Sequence, residues 1–129
     1  MGKSRIFTLG LVAILALSGC STAASPNGKF YASMDDFKAD FIAAGGECNT
    51  SVVKGYWRTT EGLSCNDDDS RLLLFKDHAT VVLQAQITSD LCKTSTCLDG
   101  SLIGENWILN TRAPELFQEA LGGTILDKE

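Results

Sequence analysis

The amino-terminal segment has the three-part pattern of a secretory signal peptide, and this limits which residues can belong to the fold. Lys3 and Arg5 precede an apolar run over residues 6–17, and small residues follow before Cys20. This order is typical of a segment that is removed during export. The apolar run is also shorter than the roughly 20 residues that a membrane-spanning helix needs. We therefore exclude residues 1–19 from the fold prediction.

The residues at the expected cleavage point resemble the lipobox of bacterial lipoproteins, which reads Leu, Ala or Ser, Gly or Ala, and Cys. The matching residues are Leu17, Ser18, Gly19 and Cys20. The resemblance implies a diacylglycerol thioether on Cys20 and, in many bacteria, an acyl chain such as palmitate on its amine. Two or three acyl chains give stable anchoring, whereas one gives marginal binding. The expected location is the extracytoplasmic face of the cell membrane; the alternative is a conventional signal peptide in which Cys20 has no role.

The remaining chain is acidic. Residues 1–19 contain two of the 11 basic residues and none of the 16 acidic residues, so the other 110 residues carry a net charge of −7. Nucleic-acid binding needs clusters of Lys and Arg, and electrostatic adhesion to anionic lipid needs basic residues as well. We therefore expect no nucleic-acid partner, and we expect the lipid alone to hold the protein at the membrane.

The cysteine count indicates disulfide bonds. Four cysteines remain after Cys20 has been lipidated: Cys48, Cys65, Cys92 and Cys97. An even number in an exported chain is typical of disulfide pairing. Three pairings are possible, and Cys48–Cys65 with Cys92–Cys97 is favoured because both bonds are local and do not cross. A zinc site is disfavoured, because paired C-x-x-C spacing is absent and the single His78 has no partner motif.

The composition predicts one domain behind a short tether. Residues 20–29 begin with the lipidated cysteine, continue with small and polar residues, and include Pro26 and Gly28. They are expected to be a flexible tether. Residues 30–129 contain no second linker or repeat, and about 100 residues can form a single modest core with the help of disulfides.

Apolar periodicity and capping residues predict most of the elements. Ser33 can cap a helix in which Met34, Phe37 and Phe41 share one face, and Gly45-Gly46 would end it. Further elements are expected as strands at residues 51–58, 63–65, 71–75, 105–110 and 124–126, a turn at 66–69, and a helix between Pro114 and Gly122.

Residues 77–90 are ambiguous. Alternating apolar residues between Val81 and Ile87 favour a strand, whereas Asp77 could cap a helix. With a helix there, the order is α-β-β-β-α-β-α-β. This order predicts a single small α+β domain, with a mostly antiparallel sheet, helices packed on one face, and disulfides as staples.

Five short motifs are spread over residues 33–126: Gly45-Gly46-Glu47-Cys48, Cys65 before an apolar strand, Leu72 to Asp77 at a strand end, Gly104-Glu105-Asn106-Trp107, and Leu121-Gly122-Gly123. In these motifs the chain resembles a family of small, uncharacterised lipoproteins of actinobacteria. The resemblance implies a helix after the strand that ends at Asp77. The loop from Cys92 to Cys97 departs from the family pattern. The resemblance implies a fold and no chemistry.

One compact aromatic and basic cluster is the best candidate for a binding surface. It consists of Tyr56, Trp57 and Arg58, and these residue types commonly anchor protein interfaces. The alternative is a strand that packs Trp57 into the core. Trp107 is expected to be in the core.

Other polar residues give little indication of catalysis. His78 is the only histidine, and the neighbouring Asp77 would not face it on a helix. Residues 67–69 are three aspartates without the spaced oxygens, glycine and distal Glu of a calcium-binding loop, so a solvated turn is favoured. We therefore predict no catalytic residue, no metal and no cofactor.

These observations favour a non-enzymatic, membrane-tethered module that binds a protein or a cell-wall component in the envelope. One alternative is an inhibitor or a phage or superinfection exclusion lipoprotein, since small, acidic, disulfide-stapled domains suit that role. Another alternative is a small secreted hydrolase whose site the sequence does not reveal.

Overall fold

The structure is a computed structural model that describes residues 26–94 and 100–126. Its elements follow in the order α1 (Met34–Ala43), β1 (Ser51–Val53), β2 (Glu61–Cys65), β3 (Ser70–Leu74), α2 (His78–Cys92), β4 (Ser101–Ile103), β5 (Trp107–Thr111), α3 (Glu115–Leu121) and β6 (Thr124–Leu126). Within these residues, no helix has the length and hydropathy needed to cross a membrane.

The strands form one antiparallel sheet, as predicted. Their order across the sheet is β1-β2-β3-β5-β4-β6, and every pairing between neighbours is antiparallel. The two central strands, β3 and β5, pair with Leu72 opposite Leu109 and Leu73 opposite Ile108. The predicted single α+β domain is confirmed.

The larger core lies between one face of the sheet and the helices α1 and α3. Trp107 is fully buried there, with its ring centroid 5.2 Å from that of Phe37. Phe41 of α1 packs against Phe117 of α3 at 5.1 Å between centroids. Adjacent aromatic rings in these tilted arrangements add about 0.5–1.5 kcal/mol per pair beyond area burial. The apolar faces predicted for the two helices are therefore the faces that build this core.

The second core lies on the opposite face of the sheet, where α2 packs. It contains Leu73, Phe75, Val81 and Ile108. Successive side chains of a strand point to opposite faces, so the unbroken apolar run at residues 72–75 needs cover on both faces. Helices α1 and α3 pack on one face of the sheet, as expected. Helix α2 was expected on that face too but packs on the opposite face, because the apolar run has side chains there that need to be buried.

The helix starts agree with the capping residues found in the sequence. The Ser33 side chain accepts a hydrogen bond from the backbone N–H of Asp36 at 3.2 Å. The Asp77 side chain accepts one from the N–H of Thr80 at 2.8 Å. Such bonds satisfy backbone donors that a helix start leaves unpaired. The cap at Asp77 starts a helix over His78–Cys92, so residues 77–90 are not a strand.

The segment predicted as one strand over residues 51–58 is a strand only at Ser51–Val53. Residues 54–60 leave the strand as a loop, which we call the 54–60 loop. Arg58 has a φ of 64° there, and the Thr59 hydroxyl donates to the carbonyl of Tyr56 at 2.7 Å. Strand β4 was not predicted, since a three-residue strand is too short to show a period. Strand β5 begins at Trp107 instead of the predicted Glu105.

Residues 26–29 are part of the domain, contrary to the prediction that the tether reaches residue 29. The Asn27 amide donates to Glu105 Oε2 at 3.2 Å, and the Trp107 indole N–H donates to the Lys29 carbonyl at 3.0 Å. The Gly123 N–H also donates to the carbonyl of Pro26 at 3.1 Å. The partners in these bonds lie far away in the sequence, so local composition does not reveal that residues 26–29 belong to the domain.

The disulfide predicted between Cys48 and Cys65 is present and joins the segment after α1 to β2. Cys92, at the end of α2, is disulfide-bonded as well. Its predicted partner Cys97 lies outside the described residues. The signal peptide and the lipidation site Cys20 lie outside them too.

Candidate functional site

A cavity of about 210 Å³ lies between α2 and the face of the sheet that α2 covers. Its apolar lining comes from the strands β3, β4, β5 and β6 and from α2, which contribute Leu73, Ile103, Ile108, Leu126 and Ala85, respectively. Its polar lining is Tyr56, Arg71, Gln84, Thr88, Ser101 and Asn110, and Trp57 completes the wall. Small-ligand pockets are concave and combine apolar walls with a few converging polar groups; this cavity has both kinds of lining, with polar residues in a slight majority.

The cavity follows from the side chains that α2 turns toward the sheet. Val81 is fully buried, and Ala85 and Thr88 follow it at positions i+4 and i+7, on the same helical face. Ala85 and Thr88 are small, so α2 leaves space above the sheet where a larger residue would fill it. The sequence of one helical face therefore creates the opening.

Arg71 is the one charged side chain among the described residues that line the cavity. It lies on the central strand β3, and its Cζ is 5.9 Å from the centroid of the Tyr56 ring. Its Nε is 3.5 Å from Asp68 Oδ1, which is within ion-pair distance but outside good hydrogen-bond geometry. Arg71 therefore has an attractive neighbour without a strong, directional bond.

Asp68 is shared by two cations. Lys54 Nζ lies 3.1 Å from both of its carboxylate oxygens, and the Ser64 hydroxyl donates to Oδ1. These hydrogen bonds, led by the one from Ser64, together with the charges of Arg71 and Lys54 lower the pKa of Asp68 to about 2. Asp68 is therefore ionised at neutral pH, and the group of Lys54, Arg71 and Asp68 carries one net positive charge beside the cavity.

Three residues of the cavity wall hold buried polar atoms that have no hydrogen-bond partner in the described part of the chain. These atoms are the Tyr56 hydroxyl, Arg71 Nε and Gln84 Oε1. Leaving a buried polar atom unpaired costs about 1–3 kcal/mol, and such atoms are uncommon in native proteins. All three atoms border the same cavity, so a molecule that enters it could form hydrogen bonds with them.

Trp57 lies at the mouth of this cavity. Its side chain is 80% exposed although the residue also lines the cavity. Arg58 stacks on it from outside, with Cζ 6.0 Å from the ring centroid. Of the predicted cluster, the structure places Tyr56 and Trp57 in the cavity wall and Arg58 beside it. Trp57 is therefore not in the core, whereas Trp107 is.

The other polar residues considered in the sequence have structural roles. His78 Nδ1 lies 2.8 Å from the backbone carbonyl of Glu105. Asp67 and Asp68 have φ values of 54° and 69° in the turn after β2, and Asp69 pairs with Arg112 at 3.2 Å. Nowhere in the described ranges do three His, Cys, Asp or Glu side chains group closely enough to hold a metal ion.

Most of the polar wall could not be predicted from the sequence. Arg71, Gln84 and Asn110 come from β3, α2 and β5, which are far apart in sequence. Arg71 gave a weak indication of a polar site, because it is a charged residue beside a run of large apolar residues in a strand predicted to be well covered. Ser101 donates to Asn110 Oδ1 at 2.6 Å, a pair that depends on strand register and cannot be seen in the sequence.

Comparison with known proteins gives no match: no protein-family model fits the chain, and no curated protein or solved structure is significantly similar to it. Function therefore has to be inferred from the cavity and from the loop at its mouth.

Proposed function

We propose that this protein is a lipid-anchored, non-enzymatic binding module of the cell envelope, which contacts an envelope protein or a cell-wall component through the 54–60 loop. The observation that carries the proposal is Trp57, whose large ring is 80% exposed at the mouth of a cavity. Trp and Arg side chains are the residues that most often dominate binding energy at interfaces, and here Arg58 stacks directly on Trp57.

The loop is held in place before any partner arrives. The Thr59 hydroxyl donates to the Tyr56 carbonyl at 2.7 Å, and the Tyr56 N–H donates to the Thr59 hydroxyl oxygen at 3.3 Å. Tyr56 itself packs against the second core. A surface that is already ordered loses less conformational entropy when it binds, so the loop suits recognition.

Burial of the exposed ring would provide a sizeable part of the binding free energy. A tryptophan side chain can bury about 150–250 Å², and apolar burial is worth about 25 cal/mol per Å². The exposed 80% of Trp57 would then contribute about 3–5 kcal/mol when covered. This is the magnitude expected of an interface anchor.

The location in the envelope is supported by the sequence. The lipobox at Leu17 to Cys20 and the even number of cysteines after it both suit an exported lipoprotein. The disulfide between Cys48 and Cys65 is compatible with an oxidising compartment. The likeness to actinobacterial lipoproteins remains a prediction.

The test is proximity crosslinking in intact cells, with the native protein compared with Trp57→Ala and with Cys20→Ala. Phe30→Ala is the matched control, because Phe30 is an aromatic residue that is 57% exposed and does not line the cavity. We expect a partner that is enriched with native protein and with Phe30→Ala, and lost with Trp57→Ala. We expect Cys20→Ala to leave the membrane fraction.

Two results would contradict the proposal. If the partner is captured equally well by Trp57→Ala, the 54–60 loop is not the binding surface. If Cys20→Ala stays in the membrane fraction, the lipid anchor is wrong. Thermal unfolding of each variant shows whether it is folded, and the exposure of Trp57 predicts a change of less than about 1 kcal/mol in stability.

A further inference from the structure

We propose that the cavity between α2 and the sheet binds a small aromatic or branched-chain carboxylate, and that Arg71 binds its carboxylate group. This inference rests on the proposed binding function and goes beyond it by naming the chemical class of a ligand. It uses the interior of the cavity, whereas the proposed function uses the exposed loop at its mouth.

The charge of the site favours an anion. Arg71 is the one charged side chain among the described lining residues. The carboxylate nearest to it, Asp68, is already bonded by Lys54 and Ser64, so one positive charge is left over. This excess stands out in a chain whose net charge is −5. The planar guanidinium of arginine matches a carboxylate with two parallel N–H bonds.

The polar atoms around Arg71 favour the same kind of ligand. The Tyr56 hydroxyl and Arg71 Nε can both donate, and neither has a hydrogen-bond partner in the described residues, although Nε lies at ion-pair distance from Asp68. The Tyr56 ring also lies against the guanidinium, 5.9 Å from its Cζ, which limits the orientations of the guanidinium. Gln84 Oε1 can accept from a hydroxyl elsewhere on the ligand.

The apolar walls favour an aromatic or branched body. Leu73 and Ile108 form the sheet side of the cavity, with Ile103 and Leu126 beside them. An apolar protein cavity of about 150 Å³ can hold benzene. At about 210 Å³, this cavity suits a ligand of roughly eight non-hydrogen atoms by the same proportion. Pockets for drug-sized molecules are larger, about 300–1,000 Å³.

Trp57 would cover the ligand at the mouth and would also report its arrival. The chain has two tryptophans; Trp57 is 80% exposed and Trp107 is fully buried. A ligand that enters the cavity should therefore change the fluorescence of Trp57 and leave that of Trp107 almost constant. The variant Trp57→Phe identifies which of the two residues gives the signal.

The first experiment compares benzoate with benzamide on the purified full-length protein, by tryptophan fluorescence and by isothermal titration calorimetry. The two probes have the same shape, but only benzoate is charged. We expect benzoate to bind with a dissociation constant in the millimolar range or tighter, since a ligand this small has few atoms with which to gain affinity. We expect benzamide to bind about tenfold or more weakly, because it lacks the charge-assisted bonds.

The second experiment removes the charge from the protein. Arg71→Gln should weaken benzoate binding about tenfold or more and leave benzamide binding within about threefold. Arg112→Gln is the matched control, since Arg112 pairs with Asp69 at 3.2 Å and does not line the cavity. It removes the same charge from the protein and should leave the affinity for benzoate nearly unchanged.

A third variant tests the proposal even if Arg71→Gln does not fold. Asp68 has a φ of 69°, a conformation that asparagine tolerates well, so Asp68→Asn can keep the turn. It removes the carboxylate next to Arg71 and should therefore strengthen benzoate binding. Equal affinities for benzoate and benzamide, or weaker benzoate binding by Asp68→Asn, would overturn the assignment of a carboxylate ligand.

Failure of this inference can be distinguished from failure of the proposed function. If neither probe binds while the crosslinked partner still depends on Trp57, the cavity has no small-carboxylate ligand and the binding module stands. If benzoate binds through Arg71 while no partner is crosslinked, the cavity inference stands and the macromolecular partner is wrong.

Discussion

Removal of the Asn106 side chain should be among the most damaging single changes in this protein. Asn106 is 2% exposed, and its amide makes three bonds to the backbone. Its Oδ1 accepts from the Tyr31 N–H at 2.9 Å, and its Nδ2 donates to the carbonyls of Tyr31 and Phe75 at 2.7 and 3.3 Å. One side chain therefore joins the segment before α1, the end of β3 and the start of β5.

The magnitude for Asn106→Ala follows from these three bonds. A buried hydrogen bond contributes about 1 kcal/mol net, and a buried group left without a partner costs about 1–3 kcal/mol. Tyr31 is only 3% exposed, so water cannot easily replace the lost amide at its backbone groups. We expect a loss of about 3–5 kcal/mol, which for a domain of this size lowers the melting temperature by about 15 °C or more.

The assay is urea unfolding of the full-length protein under oxidising conditions, followed by circular dichroism. Asn27→Ala is the matched control, because Asn27 is half-buried and donates a single bond, to Glu105 at 3.2 Å. It should cost less than about 1 kcal/mol. A loss below about 1 kcal/mol for Asn106→Ala, or equal losses for the two variants, would refute the view that this buried amide holds the three segments together.

Two further predictions concern the disulfide and the acidic turn. The double variant Cys48→Ala/Cys65→Ala removes a bond that closes a loop with a sequence separation of 17. It should lose about 3 kcal/mol in unfolding free energy relative to the oxidised wild type, measured by urea titration under oxidising conditions; equal stability of the two proteins would contradict this. Because bonding by Ser64 and Lys54 lowers the folded-state pKa of Asp68 from 3.8 to about 2, the stability it contributes is present above pH 3.8 and is lost as the pH falls toward 2. The stability difference between wild type and Asp68→Asn should shrink over that range, and a difference that stays constant would show that Asp68 does not titrate this way.

Much of the secondary structure could be predicted because its signals are local. The cap at Ser33 and the apolar spacing of Phe37 and Phe41 are confirmed by α1, and the turn at residues 66–69 is confirmed as well. Residues 77–90 show where local signals conflict. Their alternation suggested a strand, but the cap at Asp77 and the buried pair Val81 and Ala85 belong to a helix.

The candidate site was predicted only in part. Tyr56, Trp57 and Arg58 stood out by residue type, and two of them line the cavity. Their environment could not be read from the chain, because the loop geometry depends on a positive φ at Arg58 and on contacts with distant strands. Arg71 and Gln84 were missed because nothing in the sequence shows that β3 and α2 enclose a common space.

The sequence by itself predicted most of the elements and the antiparallel α+β class, favoured the disulfide between Cys48 and Cys65, and indicated a route of export. These depend on spacing, capping and composition, which act between residues close in the chain. Only the tertiary structure decided that α2 covers the second face of the sheet, that residues 26–29 join the domain, and that Trp57 stays exposed above a cavity containing Arg71. These outcomes depend on packing between distant segments. The apolar run at residues 72–75 has side chains on both faces of the sheet that need to be buried, and the small side chains of α2 leave space on the face that this helix covers.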